Sequence, residues 1–273
     1  MTLGQEFHGW GFTINDEIEN LRAAQEHLKI VNLGATAIGT TVTAAPGYPE
    51  LAVKNLAELT GIDFKNSEDL IAATSDCGAY MTLSSAIKGL AVKMTKVCND
   101  IRLLASGPRC GLKEINLPQL QPGSSIMPGK VNPVAAEVAN QASFLAIGLD
   151  TTVMLAASAG QLELNVMEPV ITFALYTQMK VMTNACDTLR TKLVEGVTAN
   201  TERCKDYVMN SIGIVTLLKP HFGYQKCAAI AKEGYTTGKS LHQIVVDEQH
   251  LMTQAEWDAT FNTQNLIHPK FVK

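Results

Sequence analysis

Gly123-Ser124-Ser125-Ile126-Met127-Pro128-Gly129-Lys130-Val131-Asn132-Pro133 gathers two hydroxyls, an ammonium and a carboxamide into one short stretch. Pro122 and Gly123 lead into it and Pro128-Gly129 bends it, so it reads as a mobile loop. Asn132-Pro133 reads as a helix start, with Asn at the N-cap and Pro in the first helical position. Hydroxyl, ammonium and amide groups beside a helix N-terminus are suited to holding an anion. The plainer reading makes the stretch a turn, with Asn132 as a cap only.

Outward from the loop, the chain reads as helical on both sides. Upstream, Leu83, Ile87, Leu90, Met94, Val97, Ile101 and Leu104 alternate spacings of four and three. That is a heptad seam, within a helix expected from a cap at Asn66 or Ser67 to about Ser106, stopped by Gly107-Pro108. Such a helix spans on the order of 50 Å, which suits a long bundle shared between subunits. Downstream, a helix is expected from Pro133 to about Ala157, its buried stripe being Val134, Val138, Ala142, Leu145, Leu149 and Thr152. Asn165 to Glu168 resembles a capping box, opening a helix to about Val194 that is apolar on several faces.

Nearer the start, Ile14, Ile18, Leu21, Leu28 and Val31 form an irregular apolar stripe. Gly34 to Thr41 is small and polar, either a tight connection or a place of close backbone approach to a ligand. Pro49 and Gly61 bracket a short helix. After Gly196 helices shorten and turns multiply. The expected architecture is all-α: a long-helix bundle over residues 1–197, then a small helical C-terminal domain over 198–273.

Composition narrows the function. Hydrophobic residues make up 46% of the 273 and aromatics only 6%, giving an aliphatic, small-residue core. A net charge of −4 without a basic cluster argues against nucleic acid as partner. The cysteines at 77, 98, 110, 186, 204 and 227 are scattered, without a Cys-x-x-Cys pair, and read as free thiols in a reducing, cytoplasmic setting. No signal peptide is visible. The most apolar run, Ala142 to Ala159, is interrupted by Asp150-Thr151-Thr152, so no membrane span is expected. No metal-ligand spacing is evident among His8, His27, His221, His242, His250 and His268.

The loop resembles the signature of the aspartase/fumarase superfamily. Leu3 to Phe7, Val31 to Thr40, Ala72 to Tyr80 and Ser106 to Arg109 resemble it in the same order, so the likeness runs the length of the chain. Thr74 to Tyr80 and Gly160 to Pro169 are more similar to aspartate ammonia-lyases than to class II fumarases. The resemblance implies elimination of ammonia from L-aspartate to give fumarate, without a cofactor. It implies Ser124 as the base for the Cβ proton, Lys130 and Asn132 as carboxylate ligands, and Met127 as part of the closed loop. Ser125 is a supporting residue or a turn hydroxyl. Glu137 pairs, in the family, with the histidine of a Thr-His segment ahead of the stretch resembling Leu3 to Phe7. Family members are homotetramers whose active sites draw on three subunits. By this resemblance the chain is the C-terminal part of such an enzyme, expected to be inactive alone. The alternatives are a class II fumarate hydratase and a non-catalytic helical oligomerisation module.

Overall fold

The computed structural model describes residues 1–268; positions 269–273 of the expected C-terminal domain lie outside them. Of the described residues, 67% are helical. The strands among the described residues are two-residue pairings: β1 (Ile30–Val31) parallel to β2 (Lys65–Asn66), and β3 (Ile115–Asn116) antiparallel to β4 (Thr198–Ala199). Two compact units form. One comprises Gly9–Ala105 and Leu117–Val197; the other joins Met1–His8 and Ser106–Asn116 to the segment from Thr198 onward.

The first unit is a bundle of α1 (Leu3–His27), α4 (Gly78–Leu104), α5 (Val134–Ser158) and α6 (Glu168–Lys192). A shorter helix, α2 (Tyr48–Thr60), has Pro49 in its first turn and ends on left-handed Gly61, as its sequence predicts. The single long helix expected from about residue 67 is two helices. In α3 (Leu70–Ser75), Asp69 rather than Asn66 or Ser67 is the cap, accepting from the N–H groups of Ile71 and Ala72. The chain turns at Asp76-Cys77, where the Asp76 carboxylate takes the Gly78 N–H at 3.1 Å, and α4 begins. At 27 residues α4 spans about 40 Å. Its seam buries Ile87, Met94, Val97, Ile101 and Leu104 as expected, joined by Ser84, Ala91 and Cys98.

On α1 the expected stripe holds in part, with Ile14 and Leu21 half-buried. Trp10, Glu17 and Ala24 are buried, whereas Ile18 is exposed. The seven-residue spacing of those three lays one face of α1 antiparallel along α4. Lys93 pairs with the buried Glu17 carboxylate and Lys96 lies 6.0 Å from the Trp10 ring. Burial raises the Glu17 pKa, but hydrogen bonds from Lys93 and Asn20, with the Lys93 charge, outweigh it and leave it lowered.

The stripe expected on α5 is also corrected. Val138 and Leu145 are exposed, while Ala135, Ala136, Ala139, Ser143, Ala146, Asp150, Val153 and Ala156 point inward. Small residues let α4 and α6 approach α5 closely, and this decides which face turns in. At the centre, Asp150 accepts from Ser84 Oγ at 2.8 Å and pairs with Lys88; Gln178 of α6 donates to Ser84 Oγ and to the Ala146 carbonyl. Contrary to expectation, α5 is long and apolar enough, by length and composition, to cross a membrane. It is nevertheless a bundle helix with a paired carboxylate at mid-length. Asn165 is not part of a capping box. It donates to the Ala156 and Ala157 carbonyls at the end of α5 and accepts from Met167 N, joining α5 to α6.

In the second unit, α7 (Thr201–Met209), α8 (Lys219–Thr237), α9 (Gln254–Thr260) and α10 (Thr263–Ile267) alternate with a 3₁₀ turn at Ile212–Leu218 and a π turn at Gln243–Glu248. They close around Leu218, Ile230, Leu241, Ile244, Trp257 and Phe261. The Trp257 and Phe261 rings stack at 3.9 Å, and Thr253 and Glu256 form a capping box at the start of α9.

Candidate active site

The loop from Gly123 to Pro133 is pinched at its base. Asn132 Nδ2 donates to the Gly123 carbonyl at 2.7 Å. A Cβ on residue 123 would lie 2.1 Å from the Lys130 carbonyl oxygen, so only glycine admits this closure. The turn at Pro128-Gly129, with Gly129 at φ +76°, is closed by Lys130 N to the Met127 carbonyl at 3.3 Å. Asn132 is therefore not the helix cap expected of it. Pro133 holds that position without a side-chain cap, because the Asn132 amide is spent on the loop.

Inside the pinch, Ser124 Oγ accepts two backbone hydrogen bonds, from Ile126 N at 3.2 Å and Met127 N at 3.1 Å. Two N–H dipoles aimed at one hydroxyl oxygen stabilise negative charge there and favour release of its proton. Ser124 is half-buried, whereas Ser125, Met127 and Lys130 are exposed and Ile126 is 88% exposed. Glu137 lies in the first turn of α5, half-buried, and forms no ion pair among the described residues. Thus Ser124, Met127, Lys130 and Asn132 share one loop, while Glu137 stands on the helix behind it.

Two clefts lie elsewhere. One, of about 440 Å³, is lined by His27, Asn32, Asp76, Tyr80 and Glu168, at the N-terminal ends of α4 and α6. Burial, then the Glu168 charge, raises the Tyr80 hydroxyl pKa; the Cys77 thiol is raised by burial, then by Glu168 and Asp76. The other is cationic and belongs to the second unit. No single contiguous stretch announces either one, because their residues come from segments far apart in sequence. All six cysteines are free, and burial pushes Cys98 up to about 12, an inert thiol. Among the described residues no group of three or more His, Cys, Asp or Glu side chains is placed to hold a metal ion.

A family model described as "Lyase" matches residues 1–148, more than half of the chain. The chain belongs to this lyase family. A second model, "Fumarase C C-terminus", matches residues 214–268. Among lyase relatives, aspartate ammonia-lyase of Escherichia coli (strain K12) is 55% identical over 271 residues, 99% of this chain and 56% of the relative. That of Helicobacter pylori (strain ATCC 700392 / 26695) is 50% identical over 273 residues, covering 100% of this chain and 58% of the relative. The chain thus spans little more than half the length of the curated lyases it matches. Among solved structures, fumarate lyase:delta crystallin from Brucella melitensis bound to cobalt superposes with a TM-score of 0.91 at 40% identity, over 95% of this chain and 56% of that one. Recombinant class II fumarase from Schistosoma mansoni superposes at 0.90 and 30% identity, over 98% and 59%.

Proposed function

We propose that this chain carries the serine-base loop of an aspartate ammonia-lyase. The observation that carries the reading is the pair of N–H groups on Ser124 Oγ, within a loop that matches the family signature. A serine alkoxide removes a proton from Cβ of L-aspartate. The electron pair forms the Cα–Cβ double bond, and the Cα–N bond breaks to release ammonia and leave fumarate. Proton removal beside a carboxylate builds an aci-carboxylate, so cations aimed at that carboxylate supply the largest share of the rate. Lys130 supplies such a cation once the loop folds over the substrate. Asn132 holds the loop base and contributes its amide dipole beside the α5 N-terminus. Met127, at the loop tip, covers the substrate and Ser125 supports the turn. No cofactor is needed for this elimination.

The loop as it stands offers the substrate one base and one cation, too few for a doubly charged substrate and its intermediate. The remaining ligands come from other parts of the whole protein and from other subunits. Glu137, half-buried without an ion-pair partner, awaits a cationic histidine from one of them. Phe144, Leu155, Phe173 and Tyr176, large and exposed on α5 and α6, supply the apolar face for a homotetramer. Six free thiols suit a cytoplasmic enzyme.

The test is fumarate release from L-aspartate, followed by ultraviolet absorbance, with the chain alone and mixed with the N-terminal half of a family member. Activity in the mixture, lost by two or more orders of magnitude in Ser124→Ala, is the expected result. Activity with L-malate and not L-aspartate would make the chain part of a fumarate hydratase. A folded mixture inactive on both would remove the enzyme reading in favour of a helical oligomerisation module.

A further inference from the structure

The second unit contains an open cleft of about 520 Å³, lined by Arg109, Lys113, Asn200, Thr201, Glu202 and Arg203. Three cations thus face one carboxylate, and none of the three takes part in an ion pair among the described residues. Unpaired like charges gathered in one concavity repel each other, a cost that a bound anion removes.

Each cation is held there by the local fold. Lys113 sits at φ +52°, a left-handed conformation costly for a residue with a side chain. It is fixed by its own N–H to the Ser106 carbonyl and by Asn200 Nδ2 to its carbonyl, both at 2.8 Å. Arg203 donates from Nε to the Leu112 carbonyl at 3.4 Å and lies 4.5 Å from the Tyr207 ring centre, which leaves its terminal nitrogens unspent. Arg109 is exposed at the rim.

The start of α7 adds to this field. Asn200, whose residue type ordinarily caps a helix, makes no side-chain cap bond, because its amide is spent on Lys113 and Asn116. The first turn of α7, Thr201 to Arg203, lines the cleft and receives no side-chain cap bond from Asn200. A guanidinium fork, an ammonium and a helix N-terminus together are the groups that hold oxyanions.

We infer that this cleft binds a small doubly charged oxyanion, a phosphate group or a dicarboxylate. It does not depend on the lyase reading.

The test is calorimetric titration of the intact chain with inorganic phosphate in one arm and fumarate in the other. The variants are Arg109→Gln, Lys113→Gln and, as a control on an exposed lysine of the other unit, Lys54→Gln; circular dichroism checks each fold. Saturable binding of at least one anion is expected, weakened roughly tenfold or more by Arg109→Gln and by Lys113→Gln and unchanged by Lys54→Gln. Phosphate binding alone assigns the phosphate class, and fumarate binding alone the dicarboxylate class. If Lys113→Gln loses helicity, Arg109→Gln decides. The inference falls if neither anion binds saturably, if Lys54→Gln weakens binding as much, or if the binding seen survives the Arg109 and Lys113 substitutions.

Discussion

The two units use apolar residues in opposite ways. The C-terminal unit turns its large side chains inward: Leu218, Ile230, Ile244, Trp257 and Phe261 are nearly inaccessible, and among the described residues Tyr224 and Tyr235 are its large exposed hydrophobics beyond Met1. In the bundle, α5 turns alanines, serine and a paired aspartate inward and keeps Phe144, Leu145, Met154 and Leu155 outside. The α6 helix likewise leaves Phe173 and Tyr176 exposed, though it also buries Ile171, Leu175, Met182 and Leu189. One unit completes its own core; the other saves its bulk for a surface. A sequence that is 46% hydrophobic therefore divides its apolar residues between a buried core and an exposed apolar face of the bundle.

The largest expected effect is in the self-contained core. Trp257→Ala should cost about 3–5 kcal/mol, read by thermal unfolding. Emission from Trp10, the only other tryptophan, should stay in place at temperatures below the transition. A loss under about 1 kcal/mol would mean that this core is looser than its packing and break the contrast. Next, Asp150→Ala removes the partner of Lys88 and the acceptor of Ser84 in the bundle. A buried pair so broken costs about 3–5 kcal/mol, but the Lys88 side chain is 40% exposed, so about 1–3 kcal/mol is expected in denaturant unfolding. No change would show that the small inward residues alone hold α4, α5 and α6 together. The smallest effect on stability is on the outer face. Leu155→Ser with Phe173→Ser should change the unfolding free energy of the monomer by less than about 1 kcal/mol while abolishing self-association in sedimentation velocity. A drop in monomer helicity would show instead that this face is packed within the chain.

This contrast also explains what the sequence discloses. The α4 seam was legible because one face carries large aliphatics at heptad spacing and that face is buried. On α5 the same logic selected Val138 and Leu145, which are exposed, because large residues mark an interface as readily as a core. Periodicity reports that a helix has an apolar face and not which neighbour covers it. Asn132 and Asn165 were ambiguous for another reason. An asparagine carries both a donor and an acceptor, so a residue suited to capping the helix that follows can instead bind a carbonyl brought near by the fold. The serine loop was legible as a motif, but the two backbone N–H groups that meet Ser124 Oγ are displayed by no residue identity. The cationic cleft was illegible, since Lys113 and Arg203 are brought together through Asn200 and the β3–β4 pairing.

The pinch at Gly123 and Asn132 has a consequence for engineering. A segment tied at its neck and bare at its crown behaves as a cassette. Its closure is set by one glycine and one carboxamide, while Ile126, 88% exposed, carries none of the proposed roles. Variation can therefore be placed at Ile126 while those two neck positions are left untouched.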